Sequence, residues 1–528
     1  MMNTITKKVT GSYYTCKTIA DYIANWAIES PKTCVLEPSF GDGIFIDSAI
    51  SRYATLGNYS PKIIGVEIQE QPFSRYMEKN DGISGFQMDF MDFRADVKVN
   101  AIIGNPPYVS LKNLKESDRK KALSLVSSYG LNMQTSGSLW MPFIVHATEI
   151  LEDKGKLGFV LPYEITYVRY AFDLWNYLSQ NYGKITVCRI YHDFFPDVDV
   201  ETILLLAEDK GAATDSICYK VFDTISNMTD DNLYLESQIK IKDIVGMNKP
   251  FVRELLPESL LSLLSSLRNE HKLADFVHDC KFKIGYVSGN KTYFHLSREM
   301  ATQRNICTEN LRKCLINAKQ ISSNANIGVE TRDIPNYGFL FYPVNIADGE
   351  KQYICDGEAR GVHEGYKCKV RKPWYITPGL EIPDIILTVF GDVPRMLLND
   401  GAFYVSNSLL SGFSKVTNAK ELICRWYNSL TLLSIEITIH SLGGGTLVLI
   451  PGETDKLEVI SDFPAEQTDD TYKLIANFAR NHSTEEIYQF GDTVVLKEIY
   501  GFSDEAVREI RSSLQMLRDW RNPEKRRG

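Results

Sequence analysis

Short apolar segments alternate with amphipathic stretches from Thr33 to the region of residue 238. The pattern predicts buried strands at Cys34–Glu37 and Lys62–Glu67, with a helix over residues 44–52 between them. Further strands are predicted at residues 85–88, 100–104 and 156–162. Strands that alternate with helices are typical of an α/β fold, so we predict a doubly wound, mostly parallel sheet with helices on its faces.

The alternation fades after this region, and residues 257–267 form the pattern of an amphipathic helix that opens a new domain. A chain of 528 residues is also too long for one hydrophobic core. We therefore predict two domains, an α/β domain at residues 1–238 and a mixed α+β domain at residues 239–528 that could end in a helical subdomain.

The composition is ordinary for a soluble globular protein, with 44% hydrophobic and 24% charged residues. No apolar run reaches the roughly 18 residues that span a bilayer, and the polar start of the chain does not resemble a secretory signal. We expect a cytoplasmic protein without membrane association. Ten scattered cysteines without a Cys-x-x-Cys pair predict neither a disulfide framework nor a metal site. The net charge of −9 disfavours general nucleic-acid binding but leaves room for a local basic cleft.

The tetrapeptide Asn105-Pro106-Pro107-Tyr108 follows the predicted strand at residues 100–104. It therefore lies at a carboxyl strand end, where open α/β sheets bind ligands. The prolines fix the backbone and donate no hydrogen bonds, so the carbonyls of Asn105 and Pro106 are predicted to be free acceptors beside the flat ring of Tyr108. Such a set can hold a planar amine for alkylation. A Pro-Pro turn that merely ends a strand is the alternative.

Other strand ends carry residues suited to a nucleoside. Gly41 and Gly43 follow the first strand and allow a ligand to approach the turn closely. Glu67 ends the second strand, near the interval of about 20 residues at which an acid binds a ribose. Asp89 and Phe90 follow the third and could bind and stack on an adenine. The third glycine of a dinucleotide fingerprint is missing, which favours a smaller nucleoside, and solvated acids at strand ends are the alternative.

Two more stretches fit this order: Thr10-Gly11-Ser12-Tyr13-Tyr14-Thr15, and Phe194-Phe195-Pro196 before an apolar strand at residues 202–206. With them, residues 10 to about 210 resemble the gamma-class adenine-N6 DNA methyltransferases of restriction-modification systems. The resemblance implies a Rossmann-like class I methyltransferase fold with S-adenosylmethionine as cofactor. The implied cofactor-binding residues are Thr10, Gly11, Tyr14, Thr15, Glu37, Pro38, Gly41, Gly43, Glu67, Ile68, Asp89, Phe90, Asn105 and Phe143.

The same resemblance gives the motif residues their roles. Asn105, Pro106, Pro107 and Tyr108 would be catalytic. The Asn105 side-chain oxygen and the Pro106 carbonyl would accept both amino hydrogens of a flipped adenine during direct in-line transfer. Tyr108 and Phe195 would stack on that base, with Phe194 as the alternative to Phe195. Phe143 would pack on the cofactor's adenine, although its surroundings also fit an ordinary buried helix.

One segment of the predicted second domain suits nucleic acid. Residues 367–375 include four cations and two aromatic residues. A solvated charged face is the alternative to a nucleic-acid contact. A domain of this size favours double-stranded DNA, because reading several base pairs requires a second protein surface. The candidate DNA contacts are Lys367, Lys369, Arg371, Lys372 and Trp374.

Three other functions remain open: RNA adenine-N6 methylation, methylation of a protein glutamine, whose amide is equally planar, and a decayed DNA-binding scaffold. The intact Asn105 and Glu67 argue against decay. The cofactor motif begins near the start of the chain, which disfavours an amino-terminal nuclease. A separately encoded cognate restriction endonuclease is therefore the candidate partner, and we expect a monomer or dimer.

Overall fold

A computed structural model describes residues 15–522, except for residues 97, 169, 191–201, 247–248, 323–325, 331–333, 335 and 442–444. The chain divides into two compact units, one that reaches Leu255 and one from Leu256 to Asn522. The predicted domain boundary at residue 238 falls within a strand of the first unit, Leu235–Lys240, which pairs with Ser216–Phe222.

The first unit is built on a nine-stranded sheet with the order β3-β2-β1-β4-β5-β7-β6-β8-β9. The first five strands of this row, β3, β2, β1, β4 and β5, are parallel to one another, and β7 pairs antiparallel with both β5 and β6. The strands are β1 Cys34–Glu37, β2 Lys62–Glu67, β3 Ser84–Gln87, β4 Val99–Gly104, β5 Leu151–Pro162, β6 Tyr182–Ile190, β7 Thr202–Lys210, β8 Ser216–Phe222 and β9 Leu235–Lys240.

Helices connect β1 to β2, β2 to β3 and β4 to β5, as is usual between parallel strands. The helices of the unit are α1 Lys17–Ala27, α2 Ile44–Thr55, α3 Glu70–Met77, α4 Glu116–Ser128, α5 Trp140–Ile150, α6 Tyr170–Asn181, α7 Ile225–Thr229, α8 Ile241–Gly246 and α9 Pro250–Arg253. Helix α1 places Ile19, Ile23 and Ala27 on one face, and these side chains pack in the core with Val35 of β1 and Ile103 of β4. The α/β fold predicted from the alternation is confirmed.

The second unit is α+β. One antiparallel sheet has the order β11-β18-β15-β16, a second sheet has the order β12-β14-β13-β17, and β10 pairs with β19. The strands are β10 Leu273–Asp275, β11 Cys280–Ile284, β12 His295–Leu296, β13 Leu311–Leu315, β14 Gly338–Phe341, β15 Ile385–Thr388, β16 Met396–Leu398, β17 Tyr404–Val405, β18 Leu409–Ser414 and β19 Glu458–Ile460.

Helices dominate the last hundred or so residues of this unit and share its largest core, around Trp426, Tyr427 and Tyr488. The predicted amphipathic helix at residues 257–267 corresponds to α10. The helices are α10 Glu258–Asn269, α11 Lys291–Phe294, α12 Arg298–Gln303, α13 Lys319–Ser322, α14 Asp348–Ala359, α15 Tyr366–Lys369, α16 Lys420–Trp426, α17 Ser429–Thr438, α18 Pro451–Thr454, α19 Ala465–Ala479, α20 Thr484–Gly491 and α21 Asp504–Arg521. In the part of the chain described here, no helix combines the length and apolar character needed to cross a bilayer.

Candidate active site

The carboxyl ends of β1, β2 and β4 and the turn after β3 surround a cavity of about 390 Å³ in the first unit. Chain order reverses between β1 and β4, and this switch point is where doubly wound sheets bind ligands. The cavity is lined by Thr15, Lys17, Glu37, Pro38, Ser39, Phe40, Gly41, Asp42, Ile44, Phe45, Asp47, Glu67, Ile68, Gln69, Met88, Asp89, Phe90, Asn105, Pro107, Leu139 and Phe143. Most of the predicted cofactor residues therefore share one cavity.

The two glycines of the turn after β1 have different reasons to be glycine. Both have positive φ, +53° at Gly41 and +83° at Gly43. Gly41 lines the cavity, and a Cβ added there would have no described atom within 4 Å. A Cβ at Gly43 would lie 2.0 Å from Cε2 of Tyr76, and Gly43 is not part of the lining. The expectation that both glycines make room for a ligand is thus wrong for Gly43, which makes room for a tyrosine ring of α3.

Glu67 is fixed at the end of β2 by two backbone groups. It is 4% exposed, and its carboxylate accepts hydrogen bonds from the amides of Gly41, at 2.9 Å, and Gln69, at 2.8 Å. The first of these bonds ties the glycine turn to the neighbouring strand. A carboxylate has about four lone-pair sites, so this arrangement leaves acceptor capacity for hydroxyl groups of a ligand.

The cavity also contains a second buried carboxyl group, Glu37 at the end of β1. Its Oε2 accepts the Ile46 amide of α2 at 3.1 Å. Burial raises the pKa of Glu37 well above its ordinary value, and the nearby Glu67 and Asp47 raise it further, while the Ile46 hydrogen bond lowers it. Burial thus favours the neutral form of Glu37, which can both donate and accept a hydrogen bond in the cavity.

The cavity wall formed by the turn after β3 consists of aromatic side chains and the carboxylate of Asp89. Asp89 caps the short turn Phe90–Asp92 through a 3.0 Å hydrogen bond from the Met91 amide to Oδ1. The ring of Phe90 lies 5.0 Å from that of Phe143, which belongs to the buried face of α5 and also lines the cavity. Phe143 therefore belongs both to a buried helix and to the cavity lining, and its packing on the adenine of a cofactor stays a prediction. A flat apolar wall beside a carboxylate suits an aminopurine ring.

Asn105 joins this cavity to the end of β4. Its Nδ2 donates to Thr15 Oγ1 at 3.2 Å, which orients the amide. Its backbone carbonyl accepts from Ser39 Oγ at 3.2 Å. The carbonyl of Asn105 is therefore not the free acceptor that the Pro-Pro pattern predicts, because a side chain of the turn after β1 reaches it. Pro107 lines the cavity, Pro106 is buried, and the half-buried Tyr108 lies outside the lining.

Some predicted site residues lie outside the described part of the chain. They are Thr10, Gly11, Tyr14, Phe194 and Phe195. Ile68 and Pro38 line the cavity as expected. Sequence reasoning missed Ser39 and the Thr15 to Asn105 hydrogen bond, because polar pairs far apart in the chain leave no local pattern.

The cationic segment of the second unit separates into two kinds of residue. Lys367, Lys369 and Lys372 are exposed. Arg371 donates to the carbonyls of Ser288, at 2.8 Å, and Val287, at 2.6 Å. This guanidinium is therefore engaged in holding the chain after β11, which a cation count along the sequence does not reveal.

Trp374 is likewise engaged within the second unit. Its Nε1 donates to Glu358 of α14 at 3.0 Å, and its ring centroid lies 5.4 Å from that of Tyr293. The expectation that Trp374 offers a free stacking surface is therefore not supported by its packing. Beside the segment is an open cavity of about 550 Å³, whose lining includes the exposed Ile284 and Val370.

The strand order and the antiparallel β7 give the first unit the fold of class I S-adenosylmethionine-dependent methyltransferases. Two family models match the chain: the Eco57I restriction-modification methylase over residues 51–194, and the C-terminal domain of the Type II methyltransferase M.Eco57I over residues 248–496. Both matches are to restriction-modification methylases, so the comparisons support a DNA methyltransferase of this kind.

Individual relatives agree with this family. The chain is 24% identical over 467 residues to Type II methyltransferase M.BstVI of Geobacillus stearothermophilus, covering 76% of this chain and 81% of the relative. It is 27% identical over 252 residues to Type II methyltransferase M.HincII of Haemophilus influenzae, covering 46% of this chain and 44% of the relative. The solved structure of the Type IIL restriction-modification enzyme MmeI in complex with DNA has a TM-score of 0.54 at 11% identity, covering 95% of this chain and 72% of that chain. At this identity the likeness shows the fold alone.

Proposed function

We propose that this protein transfers a methyl group from S-adenosylmethionine to the exocyclic N6 of an adenine flipped from double-stranded DNA. The observation that carries the proposal is the position of Asn105 in the same cavity as Glu67 and Asp89. An acceptor for an amine and two acceptors for a nucleoside thus lie around one space. The restriction-modification methylase family supports DNA as the substrate.

The cavity fits the proposed cofactor by its chemistry. Glu67 would hold the ribose hydroxyls, and Asp89 would accept from the amino group of an adenine that lies against Phe90 and Phe143. The buried carboxyl group of Glu67 in the cavity lining suits a cationic ligand. Bound S-adenosylmethionine supplies a methyl group made electrophilic by its sulfonium charge.

The amine is activated by acceptors rather than by a base or nucleophile of the protein. The lone pair of an adenine amino group is delocalised into the ring. The Asn105 side-chain oxygen and the Pro106 carbonyl would accept its two hydrogens and stabilise the positive charge that develops on nitrogen. The bond from Asn105 Nδ2 to Thr15 turns the opposite end of the amide, Oδ1, away from Thr15. Asparagine suits this role because its amide is not protonated at neutral pH.

The target adenine has to leave the base stack of the DNA to reach Asn105, and this costs a few kcal/mol of free energy. Tyr108 and Phe195 are the proposed compensation, since stacking contributes about 1–3 kcal/mol per base. The exposed Lys367, Lys369 and Lys372 of the second unit are the proposed phosphate contacts. We also propose that the enzyme is a monomer or a dimer, and that its partner is a separately encoded cognate restriction endonuclease.

The test is transfer of labelled methyl groups to duplex DNA, RNA and protein, followed by digestion and identification of the methylated nucleoside. We expect N6-methyladenine from duplex DNA. Asn105→Ala should reduce turnover by about 100-fold or more, because it removes an acceptor that acts in the transition state. Its affinity for S-adenosylhomocysteine should stay close to that of the wild type. If the methylated product is cytosine, RNA or a protein glutamine, the proposed substrate is wrong. Full turnover by Asn105→Ala would contradict the catalytic role assigned to Asn105.

The phosphate contacts can be tested by salt dependence. Each phosphate contact contributes about 0.9 to the slope of log affinity against log salt, so replacing Lys367, Lys369 and Lys372 by methionine should lower the slope by roughly 2–3. The matched control replaces three lysines that form ion pairs with carboxylates, namely Lys272, Lys420 and Lys473. An equal change of slope in both triple variants would contradict the assignment.

A further inference from the structure

Lys121 links the helix after the Asn105 motif to the nucleobase end of the cavity. It lies on α4, which begins at Glu116, and its Nζ is 3.1 Å from Asp89 Oδ2 and 2.6 Å from Asp92 Oδ2. Asp89 lines the cavity, whereas Lys121 does not. The lysine therefore acts on the cavity through the carboxylate.

The contacts fix the Asp89 carboxylate at both oxygens. Oδ1 accepts the Met91 amide at 3.0 Å, and Oδ2 accepts from Lys121. The torsion that rotates a carboxylate is broad and is held only by such contacts. Oδ2 keeps a lone pair after it binds one ammonium hydrogen, so it can still accept from a ligand amine.

Charge favours the same arrangement. Asp89 and Asp92 both contact one ammonium group, which offsets the repulsion between the two carboxylates. Burial lowers the pKa of Lys121, but the hydrogen bonds to Asp92 and Asp89 outweigh it and raise the pKa, so the ammonium stays charged. At the contact between Lys121 and Asp89 the two side chains are 34% and 26% exposed, so solvent moderates the strength of the ion pair.

We propose that Lys121 is a positioning residue that sets the orientation of the Asp89 carboxylate and thereby the selectivity of the cavity for a 6-aminopurine. The inference rests on the proposed function, since it takes the cofactor's adenine as the group that Asp89 receives. A ligand with a 6-oxo group offers an acceptor where the amine offers a donor, and it gains nothing from a well-oriented carboxylate.

The experiment measures binding by calorimetry for S-adenosylhomocysteine and S-inosylhomocysteine, which differ in that one group. Lys121→Met should weaken S-adenosylhomocysteine roughly three- to tenfold, as expected for loss of a partly exposed charged contact, and change S-inosylhomocysteine by less than about twofold. In a double-mutant cycle, Lys121→Met should add little once Asp89→Asn is present, because both changes disable the same acceptor.

Lys120 provides the matched control. It neighbours Lys121 on α4 but pairs with Glu116 at the exposed surface, so Lys120→Met should leave both affinities unchanged. Partial unfolding of a variant lowers the apparent affinity for both ligands by the same factor, so the ratio of the two affinities remains informative.

Three outcomes are decisive. Equal affinities for Lys121→Met and Lys120→Met would overturn the inference alone. Equal losses for both ligands, additive with Asp89→Asn, would show a merely structural ion pair and overturn it as well. Failure of the wild type to bind S-adenosylhomocysteine would overturn the proposed function itself.

Discussion

The hydrogen bond between Thr15 and Asn105 predicts that Thr15→Val lowers turnover, although the side-chain oxygen of Asn105 that would accept from the target amine is kept. Thr15 is buried at 5% exposure, and its Oγ1 accepts from Asn105 Nδ2 at 3.2 Å. Thr15→Val replaces the hydroxyl by a methyl group of similar size. The amide of Asn105 then loses the hydroxyl acceptor that orients it, while its own side-chain oxygen is retained.

The size of the effect follows from one neutral hydrogen bond in a buried site. Such a bond contributes about 0.5–1.5 kcal/mol, and leaving its donor without that partner raises the penalty to about 1–3 kcal/mol. If about 1–2 kcal/mol of this appears in the transition state, kcat falls roughly 5- to 30-fold. This is smaller than the effect of Asn105→Ala, because the acceptor itself is retained.

Single-turnover methyl transfer to duplex DNA measures this effect, and calorimetry measures cofactor affinity in parallel. Thr15→Ser is the matched control, because it keeps the hydroxyl, and it should retain most of the wild-type kcat. The reasoning would be refuted by a Thr15→Val variant whose cofactor affinity falls while kcat is unchanged. That result would make Thr15 a cofactor contact only, as the sequence resemblance implies.

Three further predictions concern groups whose role the structure changes. Gly43→Ala should destabilise the first unit by about 2–4 kcal/mol in chemical denaturation, because the strain of a positive φ adds to a collision with the Tyr76 ring. Gly41→Ala should cost only the backbone strain of about 1 kcal/mol, because no described atom lies near its added Cβ. Equal losses of stability in the two variants would contradict this reasoning. Burial raises the pKa of Glu37, so the folded chain holds more protons than the unfolded chain above pH about 4.3 and its stability falls as pH rises. Glu37→Gln should therefore gain stability relative to wild type as pH rises above about 4.3, and a difference that does not change with pH would refute the argument. Arg371→Met should lower stability by about 1–3 kcal/mol through its two carbonyl partners, without changing the salt dependence of DNA binding.

The sheet of the first unit was predictable because its signals are local. Strands β1 and β4 pair with each other and are covered by helices, so nearly all their residues are apolar and buried. The turn residues follow directly, and the crossover rule brings successive strand ends to one edge. Glu67, Asp89 and Asn105 could therefore be placed in one site without coordinates.

The contacts that the sequence did not indicate depend on partners far away in the chain. Nothing near Gly43 indicates that the ring of Tyr76 will lie against it. Arg371 fits a phosphate contact as well as a bond to the carbonyl of Ser288, and only the fold separates the two. Composition gives the charge of a segment but not which cations remain exposed.

The long-range contacts also explain how the site keeps its shape. Glu67 holds the Gly41 amide of a neighbouring strand's turn, and Ser39 of that turn holds the Asn105 carbonyl. The strand ends are thus bound to one another across the cavity as well as through the sheet. Substitution of Glu67 would consequently release the turn and remove a ligand contact together. For residues with such a double role, a loss of activity assigns a catalytic or binding role only when stability and cofactor affinity are measured on the same variant. Thr15 and Lys121 are more informative than Glu67, because each has its partners inside the site and can be replaced conservatively.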